Sequence, residues 1–291
     1  MTRPTARSTD RHFNSADGIR LHYRDYDGDR DRPPILCLPG LTRNARDFEP
    51  IGELHGGDWR VIALDLRGRG GSGHDPDPAN YRPAVYVADV IKLLDQLGIA
   101  DAVFIGTSLG GLCTMVLASI EEERVAGALI NDIGPVIEPA GLERIGGYVG
   151  SAAAFADWAE VTALLRTRNG DVYPDWDAAA WDRFARRLAR EDGGTIRFDY
   201  DPRLADGFFA SLKAPSIDLW PLWRALAGRP VTLLRGELTD LLTADVAERM
   251  AREFDGVELV TVPRVGHPPT LEEPESMAAL DRLLDRVKAR L

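Results

Sequence analysis

Six short runs of unbroken apolar residues constrain this chain more than any other feature: ILCLPG (35–40), VIALDL (61–66), AVFIGTS (102–108), AGALINDIG (126–134), VTLLRG (231–236) and VELVTV (257–262). A strand with one wet face alternates polar and apolar residues. A continuous run belongs instead to a strand covered on both faces, as in a parallel sheet flanked by helices. Between the runs, PAVYVADVIKLLDQLG spaces Val87, Val90, Ile91, Leu94 and Leu97 at helical intervals and stops at Gly98. EPESMAALDRLLDRVKARL closes the chain as an amphipathic helix. Ahead of the runs, HFNSADGIRLHYRDY reads as an antiparallel edge hairpin turning at Ala16, Asp17 and Gly18. The pattern predicts an α/β fold built on a mostly parallel, doubly wound sheet. A chain of 291 residues, 44% of them hydrophobic, can supply one such domain and an insertion into it.

The insertion is expected over 135–227, where the strand-helix alternation stops. Five of the six tryptophans fall there, among charged helical stretches such as DWDAAAWDRFARRLARE. The segment reads as a mostly helical cap over the carboxyl edge of the sheet, where ligand crevices of open α/β sheets form. It divides the core into 1–134, with residues 1–10 expected to be disordered, and 228–291. Among its aromatic residues, Tyr148 and Trp158 are the candidates for substrate contact. The aromatic content points to a small, largely apolar substrate.

Charge and cysteine content narrow the function class. A formal charge of −11 repels nucleic-acid phosphates and anionic lipid heads, so neither is an expected partner and a small molecule is. Cys37 and Cys113 sit inside apolar segments and read as buried free thiols. The amino-terminal MTRPTARSTDR lacks the apolar core of a signal peptide, and a cytoplasmic location is expected. No cysteine, histidine and carboxylate spacing suggests a metal site. Gly68-Arg69-Gly70-Gly71-Ser72-Gly73 matches the glycine spacing of a dinucleotide fingerprint, but HDPDPANYRP follows it. That stretch cannot form the helix such a site requires, so no cofactor is expected.

The chemistry centres on Gly106-Thr107-Ser108-Leu109-Gly110, a G-x-S-x-G pattern with an apolar strand before it and the helix-forming LGGLCTMVLAS after it. A serine on so sharp a strand-to-helix turn needs neighbours without side chains, which the glycines provide. A neutral hydroxyl is a weak nucleophile and requires a histidine base oriented by a carboxylate, in the chain order serine, acid, histidine. Of five histidines only His267, just past the last apolar run, follows Ser108. His12, His22, His55 and His74 read as surface or structural residues. For the acid, Asp240 after VTLLRG is preferred because it stands closer to His267 in strand order. Asp132, after ALIN, is the alternative, and Glu237 is a weaker third. The backbone N–H groups of Leu109, at the start of the helix, and of Leu41, after Gly40, are the candidate oxyanion donors. Thr42 and Arg43 are near enough to join Gly40 in contacting a substrate, with a solvated loop as the equal alternative for both.

Taken together, PGLTRNARDF, DLRGRGGS, GTSLGG, RGELTD and VGHPP resemble the α/β-hydrolase superfamily, in its cap-bearing esterase, lactonase and carbon-carbon bond hydrolase branch. The resemblance covers 12–134 and 228–291. It implies the α/β-hydrolase fold, no cofactor, a triad of Ser108, Asp240 and His267, and an oxyanion hole of Leu41 and Leu109. Many members carry His-Gly where this chain has Pro39-Gly40, which alters the support of that turn but not its N–H donors. Members with an aspartate nucleophile are disfavoured by Ser108. The resemblance therefore implies a serine hydrolase acting on a carboxylic ester or lactone. Carbon-carbon bond hydrolysis, acyl transfer or perhydrolysis by the same triad are the rivals, and a non-catalytic ligand receptor is a more distant one.

Overall fold

All six apolar runs form strands of one eight-stranded sheet in the computed structural model, which describes residues 6–213 and 217–291. The first part of the core comprises β1 (Ser8–Asn14), β2 (Arg20–Tyr26), β3 (Ile35–Leu38), α1 (Glu49–His55), β4 (Val61–Leu64), α2 (Pro83–Leu97), β5 (Ala102–Thr107), α3 (Leu109–Ile120) and β6 (Val125–Asn131). The inserted segment follows, with α4 (Pro139–Gly146), β7 (Ala154–Phe155), α5 (Trp158–Asn169), α6 (Ala178–Leu188), β8 (Ala189–Asp192), β9 (Thr195–Phe198), α7 (Leu204–Lys213) and α8 (Trp220–Arg224). The chain returns to the core through β10 (Val231–Gly236), α9 (Ala244–Arg252), β11 (Val257–Val262) and α10 (Pro274–Lys288).

The strands lie in the order β1-β2-β4-β3-β5-β6-β10-β11, parallel from β4 to β11. Successive residues of each strand feed opposite layers. Leu36, Leu38 and Phe104 pack with Val90 and Leu94 of α2 and Leu117 of α3. Ile35, Cys37 and Ile105 pack with Ile51 of α1 and Leu280 and Leu284 of α10. Both cysteines are free and buried, Cys37 in this layer and Cys113 in the other. Among the described residues, no helix is long and apolar enough to cross a membrane.

Two expectations are corrected. Residues 8–10 are not disordered: β1 starts at Ser8, and its backbone pairs with β2 from Ser8 opposite Tyr26 to Asn14 opposite Arg20. Residues 1–5 lie outside the described residues. The insertion is not only helical either, because β7, β9 and β8 form a small antiparallel sheet. β8 and β9 meet at Gly193-Gly194, both at positive φ, in a hairpin too short for its strands to show as apolar runs.

The insertion is tied to the core at several points. The Asn44 side-chain amide and the Arg46 guanidinium both donate to the carbonyl of Arg187, and Arg46 pairs with Asp199 at 2.7 Å. Gly70 N–H donates to the Asp199 carbonyl, and the Tyr81 hydroxyl donates to Asp201 at 2.6 Å. The glycine loop 68–73, a decoy for a dinucleotide site, is thus a bracket between the two parts. A Cβ on Gly70 would lie 2.2 Å from Asp65 Oδ2.

Arg67 anchors the same loop from below. Only 1% exposed, it meets Asp75 at 2.5 Å, Asp89 of α2 at 2.6 Å and Asp17 of the β1–β2 turn at 2.8 Å. Its hydrogen bonds hold the Asp17 carboxyl at about 2, below the ordinary 3.8. Asp17 contributes its stability fully above the ordinary carboxylate range and loses it as pH falls towards 2. Arg67→Leu leaves Asp75 and Asp89 buried without a counter-charge and is expected to destabilise the fold by about 3–5 kcal/mol. Asp17→Asn, at the wet end of the cluster, is expected to cost no more than about 1 kcal/mol. Urea unfolding of the two variants at pH 7 measures the contrast.

Candidate active site

The sheet itself selects the position of the site. From β3 the chain goes first to β4 on one side, then crosses to β5 on the other, so the loops leaving β3 and β5 diverge and leave a crevice at their carboxyl ends. β3 leads into Gly40 and Leu41, and β5 leads into Ser108. Leu38 and Gly106 stand opposite each other in the ladder, which brings the two turns side by side.

Ser108 has φ 52° and ψ −112°, a sparsely populated conformation for a residue with a side chain. It is held by close backbone packing on each side. A Cβ on Gly106 would lie 2.5 Å from the Gly110 carbonyl oxygen, and one on Gly110 would lie 2.0 Å from that of Leu38. The Ser108 N–H donates to Asn131 at the end of β6. Leu109 opens α3, so its N–H lies outside the helical ladder and faces the favourable end of the helix dipole.

The structure brings His267 to Ser108. Nε2 lies 3.0 Å from Ser108 Oγ, and Nδ1 lies 2.8 Å from Asp132 Oδ2. A carboxylate at Nδ1 keeps the imidazole proton on that nitrogen and leaves Nε2 free to accept the serine proton. Two anchors hold the histidine loop. On the core side, Asn131 donates to the Pro269 carbonyl at 2.9 Å. From the insertion, the Tyr173 hydroxyl donates to the Pro268 carbonyl at 2.7 Å, and Gly266 N–H donates to the Val172 carbonyl.

The preference for Asp240 is corrected. Asp132 is fully buried and follows β6 directly in a left-handed conformation (φ 58°), which aspartate tolerates. Its Oδ1 accepts the Gly236 N–H at 3.1 Å, so each carboxylate oxygen has a fixed partner. Beyond β10, by contrast, the chain stays with β11, as Glu237 and Leu238 N–H donate to the Val262 and Val265 carbonyls. Asp240 is thereby carried outwards to Arg144 of α4, which it meets through two hydrogen bonds of 2.6 and 2.8 Å. Burial pushes the Asp240 carboxyl up, but the Arg144 hydrogen bonds and charge outweigh it and hold the group below the ordinary range. Glu237 accepts the Arg264 N–H away from His267. Strand order alone misdirects here, because it ignores how far each loop travels after its strand ends.

The turn after β3 is set by two hydrogen bonds. Arg43 N–H donates to the Gly40 carbonyl at 3.2 Å, which fixes the plane of the Gly40–Leu41 peptide and turns the Leu41 N–H the other way. Arg69, 1% exposed, donates from Nε to the Leu41 carbonyl at 2.9 Å and from Nη1 to the Arg67 carbonyl at 2.6 Å, with its guanidinium 4.7 Å from the Tyr86 ring. Sequence reasoning treated Arg69 as part of a loop; its anchoring of the Leu41 turn depends on a contact 28 residues distant.

Above Ser108 and His267 lies a cavity of about 740 Å³, its open mouth included. Gly40, Leu41, Thr42, Arg43 and Tyr148 line it, as the sequence suggested. Trp158 does not: its ring lies under the Arg186 guanidinium at 4.7 Å. The insertion instead contributes Phe184, Phe198 and Tyr200, together with Arg144 and Arg168, which sequence reasoning missed. Trp176 and Trp181 stack with Tyr173 and Phe184 in the insertion's own small core. Burial pushes the Tyr200 phenol up to about 12 and raises those of Tyr148 and Tyr173, so all three are neutral at ordinary pH.

Comparison with known proteins places this geometry in context. The family model described as "Alpha/beta hydrolase family" matches residues 35–280. A 3-hydroxybutyrate-oligomer hydrolase of Cupriavidus necator is 34% identical over 268 residues, covering 89% of this chain and 90% of the relative. A 2-(acetamidomethylene)succinate hydrolase of Mesorhizobium japonicum is 27% identical over 87% of this chain and 88% of its own length. The crystal structure of an alpha/beta hydrolase from Novosphingobium aromaticivorans superposes with a TM-score of 0.93 at 53% identity, covering 97% of this chain and 99% of that one.

The two aspartates give a direct test. Asp132→Asn is expected to lower kcat by about 10³–10⁴-fold, since an amide at that position stabilises the wrong imidazole tautomer. Asp240→Asn, which only releases Arg144, is expected to leave kcat far closer to the parent value. Steady-state kinetics on one activated ester compares them.

Proposed function

The chain belongs to the alpha/beta hydrolase family, and from that premise we propose that it is a serine hydrolase that cleaves a carboxylic ester of a small-molecule substrate through an acyl-enzyme on Ser108. The observation that carries this reading is the unbroken hydrogen-bonded series from buried Asp132 through His267 to Ser108 Oγ, ending at the floor of the cavity. His267 Nε2 takes the Ser108 proton as Oγ attacks the ester carbonyl carbon. The carbonyl oxygen becomes an oxyanion beside the Leu41 and Leu109 N–H groups, each donor worth about 3–4 kcal/mol. The tetrahedral adduct collapses with cleavage of the bond to the alcohol oxygen, which receives the proton from His267 and departs. Water, losing a proton to Nε2, then attacks the acyl-enzyme, and a second collapse returns the proton to Ser108 and releases the acid. Asp132, hydrogen-bonded to Nδ1, stabilises the imidazolium.

An ester is favoured over a carbon-carbon bond because the more similar of the two named relatives acts on an oligomer of a hydroxy acid, whose units are joined by esters. The two buried free thiols suit a reducing compartment, in keeping with a cytoplasmic address.

Ser108→Ala is expected to lower turnover of activated esters by about 10⁴–10⁶-fold. A serine-directed phosphonate is expected to label the parent protein and not the variant. Full turnover by Ser108→Ala, or labelling that persists in it, would remove the assignment.

A further inference from the structure

The residues lining the cavity include three arginines, Arg43, Arg144 and Arg168, and no aspartate or glutamate. This is a pronounced local reversal in a chain of net charge −11. Two of the three cations are already matched. Arg43 holds Asp47 through hydrogen bonds of 2.6 and 2.7 Å, and Arg144 holds Asp240 in the same two-bond manner. Arg168, in the last turn of α5, has no ion pair among the described residues, and its side chain reaches the cavity from the exposed face of that helix.

The neutral polar groups nearby are largely committed. The Asn169 amide donates to the Leu165 carbonyl, and the Tyr173 and Tyr200 hydroxyls donate to the carbonyls of Pro268 and Tyr148. The cavity therefore presents an apolar wall, a reactive serine and one unmatched guanidinium. A guanidinium binds a carboxylate through paired, charge-assisted hydrogen bonds, and proximity to low-dielectric walls strengthens them.

We propose that Arg168 is a specificity-determining residue that binds the free carboxylate of an ester substrate, so that the preferred substrates are small esters bearing an acid group and not wholly neutral ones. This rests on the serine-hydrolase reading and narrows its substrate class. It also amends the expectation of a largely apolar substrate: the apolar part meets Phe184, Phe198 and Leu188, and the acid end meets Arg168. An acidic protein surface with a cationic pocket makes the charge selection local to the site.

The test separates binding from turnover. Calorimetric titration of the Ser108→Ala protein with monomethyl glutarate and with dimethyl glutarate compares an anion and its neutral ester of nearly equal shape. The anion is expected to bind about ten- to a hundredfold more tightly. Adding Arg168→Gln is expected to erase that difference while leaving dimethyl glutarate binding unchanged, which also reports that the pocket is intact; Arg168→Lys is expected to keep part of it. Equal binding of the two ligands, or a preference that survives Arg168→Gln, overturns the proposal. Turnover of esters by the parent protein tests the underlying reading independently: equal binding with Ser108-dependent turnover sinks only the carboxylate assignment. Selective binding without any turnover sinks only the hydrolase reading.

Discussion

Everything at this site depends on how closely the first turn of α3 approaches the sheet. The absence of a side chain at Gly110 lets the helix start against the Leu38 carbonyl, and its absence at Gly106 lets the strand pass beneath the Gly110–Gly111 peptide. Ser108 is left between them with φ 52° and ψ −112°, with backbone packed closely on each side. The turn presents the hydroxyl to His267 Nε2 at 3.0 Å and starts α3 at Leu109. Without that approach, His267 and Asp132 would have nothing to act upon.

The rest of the structure serves to bring loops to this turn and hold them there. β6 delivers Asp132, β11 delivers the His267 loop, and Asn131 links both to the strand that ends before Ser108 through Thr107 and Pro269. The insertion contributes to this rigidity as well as covering the site, since Val172 and Tyr173 grip the histidine loop from above. Arg69 does the same for the Leu41 turn from within the core. It is a buried cation held by carbonyls and an aromatic face. The electrostatics follow the same division. The cavity is lined by three arginines and no carboxylate, in a chain of net charge −11.

Much of the core was legible in the residues alone. Continuous apolar runs identified the six parallel strands to within three residues at each end, because burial on both faces leaves no place for polar alternation. The positions of Ser108, His267, Gly40 and Leu41 were equally readable, since each is adjacent to the end of a strand and the sheet dictates where that end lies. The small β7-β9-β8 sheet escaped notice because strands of two to four residues carry too little periodicity. Trp158 was misjudged for a related reason: an aromatic on a helix faces the cavity or a neighbouring arginine according to the helix's rotation, which composition does not encode.

The chain's own residues determined the α/β architecture, the strained serine turn and the single histidine available to it, because these depend on local sterics and on hydrophobic patterning along a few consecutive residues. Which carboxylate serves that histidine was decided only by tertiary structure. Asp132 and Asp240 each follow a parallel strand, and each stood as a candidate on that ground. The Gly236 N–H holds one beneath the imidazole and Arg144 draws the other away, and these partners lie about a hundred residues distant in the chain. The cationic cavity was likewise a tertiary outcome. Arg43, Arg144 and Arg168 are scattered through an acidic sequence and meet at one cavity only where the insertion folds over the sheet.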